Sequence, residues 1–132
     1  MSTTEATGPA FFHVDDIDWA DEEKEGMAPR ELVEEAKKKG ARRKFLARGQ
    51  GSFHSSYSEF PAGYVVPTHS HDHDEMLVIL EGGCTILGGG PTLKAKDSVV
   101  LLGGFEYGFE AGAEGMRFLT IRTAKSGTAL KK

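Results

Sequence analysis

A chain of 132 residues and 14.3 kDa suits one domain, and with 39% hydrophobic and 27% charged residues it is expected to fold rather than stay disordered. Seventeen Gly and five Pro without a collagen-like period point to short strands joined by tight turns, and away from a helical bundle. The formal charge of −4 offers no global field for nucleic acid, the single Cys84 excludes an intrachain disulfide, and no apolar run approaches the ~20 residues of a membrane span.

In chain order, Met1 to Ala10 is polar and lacks the basic and apolar regions of a secretory signal, which predicts a cytoplasmic protein. Phe11, Phe12, Val14, Ile17 and Trp19 then offer apolar anchors for an extended segment laid over a sheet. One helix follows. Pro29 suits its first position, Glu31, Glu34 and Glu35 lie toward its positive end, Lys37 to Lys39 toward its negative end, and Gly40 is placed to end it. Its apolar residues, Leu32, Val33 and Ala36, make one narrow stripe, so it packs by one side only. Ten acids lie between His13 and Glu35, and seven bases without an acid between Lys37 and Arg48. Helix-dipole matching and solvated surface account for both blocks without a polyanion site, which makes a nucleic-acid partner the weaker expectation.

From Arg42 onward the pattern is short strands: Arg43–Ala47, Phe53–Phe60, Tyr64–His71, Glu75–Glu81, Cys84–Leu87, Pro91–Ala95, Ser98–Leu102, Tyr107–Glu110 and Met116–Thr123. Turns are expected at Pro61-Ala62-Gly63, Gly82-Gly83, Gly88-Gly89-Gly90 and Gly103-Gly104. This predicts an all-β antiparallel sandwich or barrel. The organisation is then 1–40 as tail, extended segment and helix packed on the barrel, 41–124 as the barrel, and 125–132 as a frayed tail.

Three of the five histidines fall in Thr68-His69-Ser70-His71-Asp72-His73-Asp74-Glu75. In an extended strand His69 and His71 point to one side, and Glu75 shares their parity. Two imidazoles and a carboxylate facing one interior suit a divalent metal, Fe, Mn, Ni, Zn or Cu, with positions left open for substrate.

These residues resemble a known family. Gly63, five residues, His69, Ser70, His71, three residues, Glu75, six residues and Gly82 match the first cupin motif, G-x5-H-x-H-x3–4-E-x6-G. The resemblance covers roughly Phe53 to Thr123. It implies a double-stranded β-helix (jelly-roll) barrel whose mouth holds one divalent metal on His69, His71 and Glu75. The second motif, G-x5-P-x-G-x2-H-x3-N, falls on Lys96, Leu102, Gly104, Tyr107 and Ala111, so only Gly104 keeps its identity and Tyr107 stands where the family has its third histidine.

A phenol at that position can ligate as phenolate, act beside the metal as proton donor or base, or fill space. Its longer reach and its ordinary pKa of ~10 favour the second role, which makes Tyr107 the candidate catalytic residue. His73 falls in the turn between two strands, where Asp72 and Asp74 are good turn residues, and is expected to face solvent; third-imidazole ligation is its alternative. His54 is expected at the surface or hydrogen-bonded in the core, Cys84 as a small buried hydrophobe, and Arg117 as an outward residue that, if inward, would attract an anion.

The expected function is metal-dependent chemistry on a small organic molecule, either dioxygenase or isomerase, cyclase or lyase chemistry. The alternative is a non-catalytic small-molecule-binding or regulatory module. The strand after Glu75 is apolar on both faces, with Leu77 and Ile79 on one and Met76, Val78 and Leu80 on the other, so a homodimer is expected to cover its outside.

Overall fold

The structure, a computed structural model, describes residues 8–26, 28–123 and, in backbone only, 129–130. The expected N-terminal tail before Gly8 and most of the expected C-terminal tail lie outside the described residues.

Helix α2 (Arg30–Lys39) runs between the predicted punctuation marks, with Pro29 as its N-cap and Gly40 in the left-handed conformation at its end. Only Val33 of this helix is buried, and Ala36 packs on the barrel core, as its narrow stripe requires. A four-residue helix, α1 (Glu22–Glu25), precedes it, capped by Asp21, whose side chain accepts from Glu23 N.

The two opposed charge blocks fold onto each other. Glu22 pairs with Arg43 at 2.6 Å, Glu23 with Lys37 at 3.2 Å and Glu25 with Arg48 at 2.7 Å. Trp19 anchors the extended segment, lying under the Arg42 guanidinium at 3.9 Å, while Lys44 donates to the Val14 carbonyl at 2.8 Å. Phe11 is no anchor; it is 76% exposed.

Among the described residues eight strands follow: β1 (Arg42–Arg48), β2 (His54–Phe60), β3 (Val65–Ser70), β4 (Glu75–Ile86), β5 (Thr92–Lys94), β6 (Ser98–Leu101), β7 (Tyr107–Arg122) and β8 (Ala129–Leu130). All pairings are antiparallel. Strands β4 and β7 pair along almost their whole length and belong to two layers. The first half of β4 lies between β6 and the C-terminal half of β7, which continues to β2 and β1. The second half of β4 lies between β5 and the N-terminal half of β7, which continues to β3 and β8. This is the all-β jelly roll the strand spacing predicts.

Three expectations are corrected here. The Gly82-Gly83 turn is a corner within one continuous strand, where β4 passes from one layer to the other and its register with β7 shifts. Gly82 has φ +71°, and a Cβ there would overlap the Gly115 carbonyl oxygen, so the corner requires glycine. Likewise, the two strands expected at Tyr107–Glu110 and Met116–Thr123 are one. The frayed tail includes β8, whose Leu130 and Ala129 pair with His69 and Ser70; the rest of 125–132 lies outside the described residues.

The core sits between the layers, where Tyr64, Leu77, Ile79, Cys84, Phe109, Ala111, Met116 and Phe118 are buried. Phe60 joins them, with its ring 4.7 Å from Tyr64 and 5.0 Å from Phe118. Cys84 is buried, and burial pushes its thiol pKa up, in keeping with a packing role.

Candidate active site

A cavity of about 170 Å³ lies inside the barrel, walled on one side by Leu32, Val33 and Ala36 of α2. His69, His71, Glu75 and Tyr107 all line it. His69 lies near the end of β3, His71 just beyond it, Glu75 opens β4 and Tyr107 opens β7 opposite His69, so strand pairing brings the four together.

The hydrogen bonds assign the protons. His69 Nδ1 stands 2.7 Å from the Pro67 carbonyl, which can only accept, so Nδ1 carries the proton and Nε2 keeps its lone pair. Burial holds this imidazole below its ordinary pKa and therefore neutral. The Tyr107 hydroxyl donates to Glu75 Oε1, and with its one proton spent its oxygen accepts from His71 Nε2 at 3.2 Å. Burial and the Glu75 charge push the Tyr107 phenol well above its ordinary pKa, so it is a neutral donor. Glu75 Oε2 accepts from Arg122 Nε at 3.2 Å. The result is a charge-compensated chain, His71 to Tyr107 to Glu75, with Arg122 behind it.

The donor chemistry fits a divalent ion. His69 has the tautomer of a metal-ligating imidazole, its other nitrogen fixed by a backbone carbonyl. His71 Nε2 and Glu75 Oε1 are 3.4 Å apart, a separation that two ligands of one ion at ~2.0–2.2 Å can share. Among the described residues no three His, Cys, Asp or Glu side chains are grouped as the ligands of one ion, and the Tyr107 hydroxyl is bonded to both His71 and Glu75. Occupancy therefore requires His71 to release its Nε2 proton.

His73 departs from expectation. It is buried, its ring 5.0 Å from that of His71, its Nδ1 3.1 Å from Asp72 Oδ1 and its Nε2 without a partner among the described residues. The turn after β6 encloses it: Gly103 N donates to Asp74 Oδ1, Gly104 N donates to the His71 carbonyl, and a Cβ on Gly103 would stand 3.1 Å from His73 N. His54 is half-buried at the start of β2, opposite Arg122.

Arg117 faces outward and pairs with Glu81 at 3.2 Å. The inward phase of β7 belongs to Met116, Phe118, Thr120 and Arg122, while Leu119 and Ile121 lie on the outer face. Arg122 is the functional candidate that the sequence reading missed. Its signal was the alternation itself, in which a buried arginine follows Phe118 and Thr120 at a spacing of two.

Solved structures share this architecture. KdgF from Halomonas sp. superposes with a TM-score of 0.65 at 22% identity, over 86% of this chain and 93% of that one. A RmlC-like cupin from Shewanella frigidimarina gives 0.65 at 17% identity, over 89% and 94%. The polyketide cyclase RemF from Streptomyces resistomycificus gives 0.70 at 16% identity, over 95% and 87%. The chain has the cupin fold. No protein-family model and no curated protein matches the sequence.

Proposed function

We propose that this protein is a metal-dependent cupin enzyme acting on a small organic molecule in the barrel cavity. His69, His71 and Glu75 are the residues that would hold one divalent ion, Fe, Mn, Ni, Zn or Cu. Such an ion supplies a Lewis acid that polarises a carbonyl or enolate oxygen. The chain's own contribution is proton movement. With His71 and Glu75 engaged by the ion, the buried and neutral Tyr107 hydroxyl beside them is the group left to donate its proton to a developing oxyanion on the substrate and to take it back.

The observation that carries this reading is the Tyr107 hydroxyl suspended between an acceptor and a donor at the cavity wall. It favours isomerase, cyclase or lyase chemistry over dioxygenation, since a positioned proton donor serves the former directly. RemF, a polyketide cyclase by name, has the same fold. The test is a screen of small carbonyl and catechol compounds on metal-reconstituted protein, with and without O2. Turnover independent of O2 and lost in Tyr107→Phe supports the reading, and O2-dependent cleavage unaffected by that change contradicts it.

A second reading is a non-catalytic small-molecule-binding or regulatory module, favoured by the self-satisfied state of the Glu75 carboxylate, both of whose oxygens already have partners. Tight ligand binding without turnover distinguishes it.

The outer face of β4 and β6 shows Leu80 and Val100 to solvent, with Leu102 just beyond β6, and a second copy of the chain is the proposed cover. Light scattering at micromolar concentration checks it, with a monomer as the contrary result. Among the described residues no helix is long and apolar enough to cross a membrane. The lone buried Cys84 accords with a cytoplasmic setting, which is part of this proposal.

A further inference from the structure

The inner face of the barrel carries a polar strip with donors that neither Tyr107 nor the metal set engages. Ser58 of β2 and Thr120 and Arg122 of β7 point inward, each about nine-tenths buried or more, where Leu77, Ile79 and Phe118 fill the same interior with apolar groups. All three line the cavity beside Glu75.

Burying a guanidinium and two hydroxyls costs free energy unless each finds a partner. Only one of these groups has one. Arg122 Nε donates to Glu75 Oε2, and among the described residues no acceptor meets Arg122 Nη1 or Nη2. Thr120 Oγ1 and Ser58 Oγ have no partner among the described residues either, and neither is among the sealed orphaned atoms, so both are open to the cavity. The cavity thus offers donors open to an incoming oxygen beside the apolar side chains of Phe60, Phe109 and Phe118.

The charges around this wall set what it accepts. Arg122 faces Glu75 on β4, and Arg43 on β1 brings its own counterion, Glu22, at 2.6 Å. Two cations and two carboxylates nearly cancel. A singly charged anion can therefore enter without meeting an excess of its own sign, and one guanidinium fork offers a place for one carboxylate. The paired Nη1 and Nη2 edge of a guanidinium matches the two oxygens of a carboxylate, a geometry that a lone carbonyl does not use fully.

We propose that this strip recognises the substrate as a small organic monoacid: Arg122 Nη1 and Nη2 hold the carboxylate, the Thr120 hydroxyl adds a third hydrogen bond, and the apolar body lies against Phe60, Phe109 and Phe118. Ser58, opposite Phe118 in the strand register, is placed for a further oxygen substituent on that body. The inference rests on the cavity being the substrate site, as read above, and is independent of the metal. It also ties recognition to chemistry, since the residue that anchors the acid shares Glu75 with Tyr107.

The test uses chelator-treated full-length protein and three matched pairs of probes: benzoate and benzamide, phenylacetate and phenylacetamide, hexanoate and hexanamide. Calorimetry or ligand-observed NMR should show at least one acid bound tenfold or more tightly than its amide. Arg122→Lys, which keeps a cation beside Glu75 but loses the planar fork, should cut that preference at least threefold. Thr120→Val, which removes only the hydroxyl, should weaken the acid and leave the amide unchanged. Equal binding within all three pairs, as expected of a cavity filled by water alone, overturns the proposal, as does an acid preference untouched in both variants. Metal content is scored separately. A protein that holds metal yet shows no acid preference refutes the recognition site alone, and one that prefers acids but holds no metal refutes the metal site alone.

Discussion

Glu75 and Arg122 stand opposite each other on β4 and β7, the guanidinium Nε 3.2 Å from Oε2, with both side chains at least nine-tenths enclosed. A buried pair of this kind is weak evidence of net stabilisation, because desolvation offsets much of the attraction. Removing one partner is another matter. Arg122→Gln leaves a buried carboxylate uncompensated and should lower the unfolding free energy by about 3–5 kcal/mol in urea titration. Glu75→Leu with Arg122→Met should recover most of that loss. A single-variant loss below about 1 kcal/mol, the scale of an exposed ion pair, would show that the pair is open to water.

Tyr107→Phe should keep metal content unchanged and lower turnover by roughly 10²–10⁴-fold, the scale of losing a positioned acid or base. Loss of metal in this variant would instead make the phenol a ligand. Full metal with full turnover would leave the ring as packing.

All three tyrosines are shifted the same way. Burial pushes Tyr57 up to about 12, helped by its hydrogen bond to Glu59, and burial also raises Tyr64 and Tyr107. A group whose folded pKa is raised contributes stability that is complete below its unfolded value and is lost as pH rises through the folded one. Thermal stability should therefore fall from about pH 10 upward, with the Tyr57 share lost toward about 12. Phenolate absorbance of native protein should appear only in that window, while the urea-unfolded chain titrates near ~10. A tyrosine ionising below that value in the native state would contradict the packing described.

Two glycines with similar backbone angles should respond differently to alanine. Gly63 has φ +72° with nothing within 4 Å of a Cβ, so only the left-handed conformation is penalised, at about 1–2 kcal/mol. Gly82 has φ +71°, and a Cβ there would overlap the Gly115 carbonyl, which adds about 1–3 kcal/mol of forced displacement. Equal losses by chemical denaturation would mean that the corner in β4 relaxes freely.

What could be read from the sequence was what local chemistry encodes. Pro29 and Gly40 bound α2 because a missing N–H and a left-handed φ are local demands. His69, Ser70, His71 and Glu75 could be placed together because alternation along a strand is local too. The remainder depended on distant residues. Gly82-Gly83 reads as a turn, yet becomes a corner because Gly115, far along the chain, passes over it. His73 reads as a turn residue, yet Gly103 and Gly104 close over it from the next loop. The phase of β7 was ambiguous because Leu119 and Ile121 are as apolar as an inward pair, and only the register with β4 and β2 shows that Thr120 and Arg122 face the cavity.

Elemental analysis of the freshly purified protein beside its His69→Ala, His71→Ala double variant tests the proposed metal site of His69, His71 and Glu75 most directly. The account predicts about one divalent ion per chain in the parent, weakening as pH falls through the histidine range, and little or none in the variant. Equal metal content in the two proteins, or a parent that takes up no ion when supplied with Zn, Mn, Fe, Ni and Cu in turn, would contradict it.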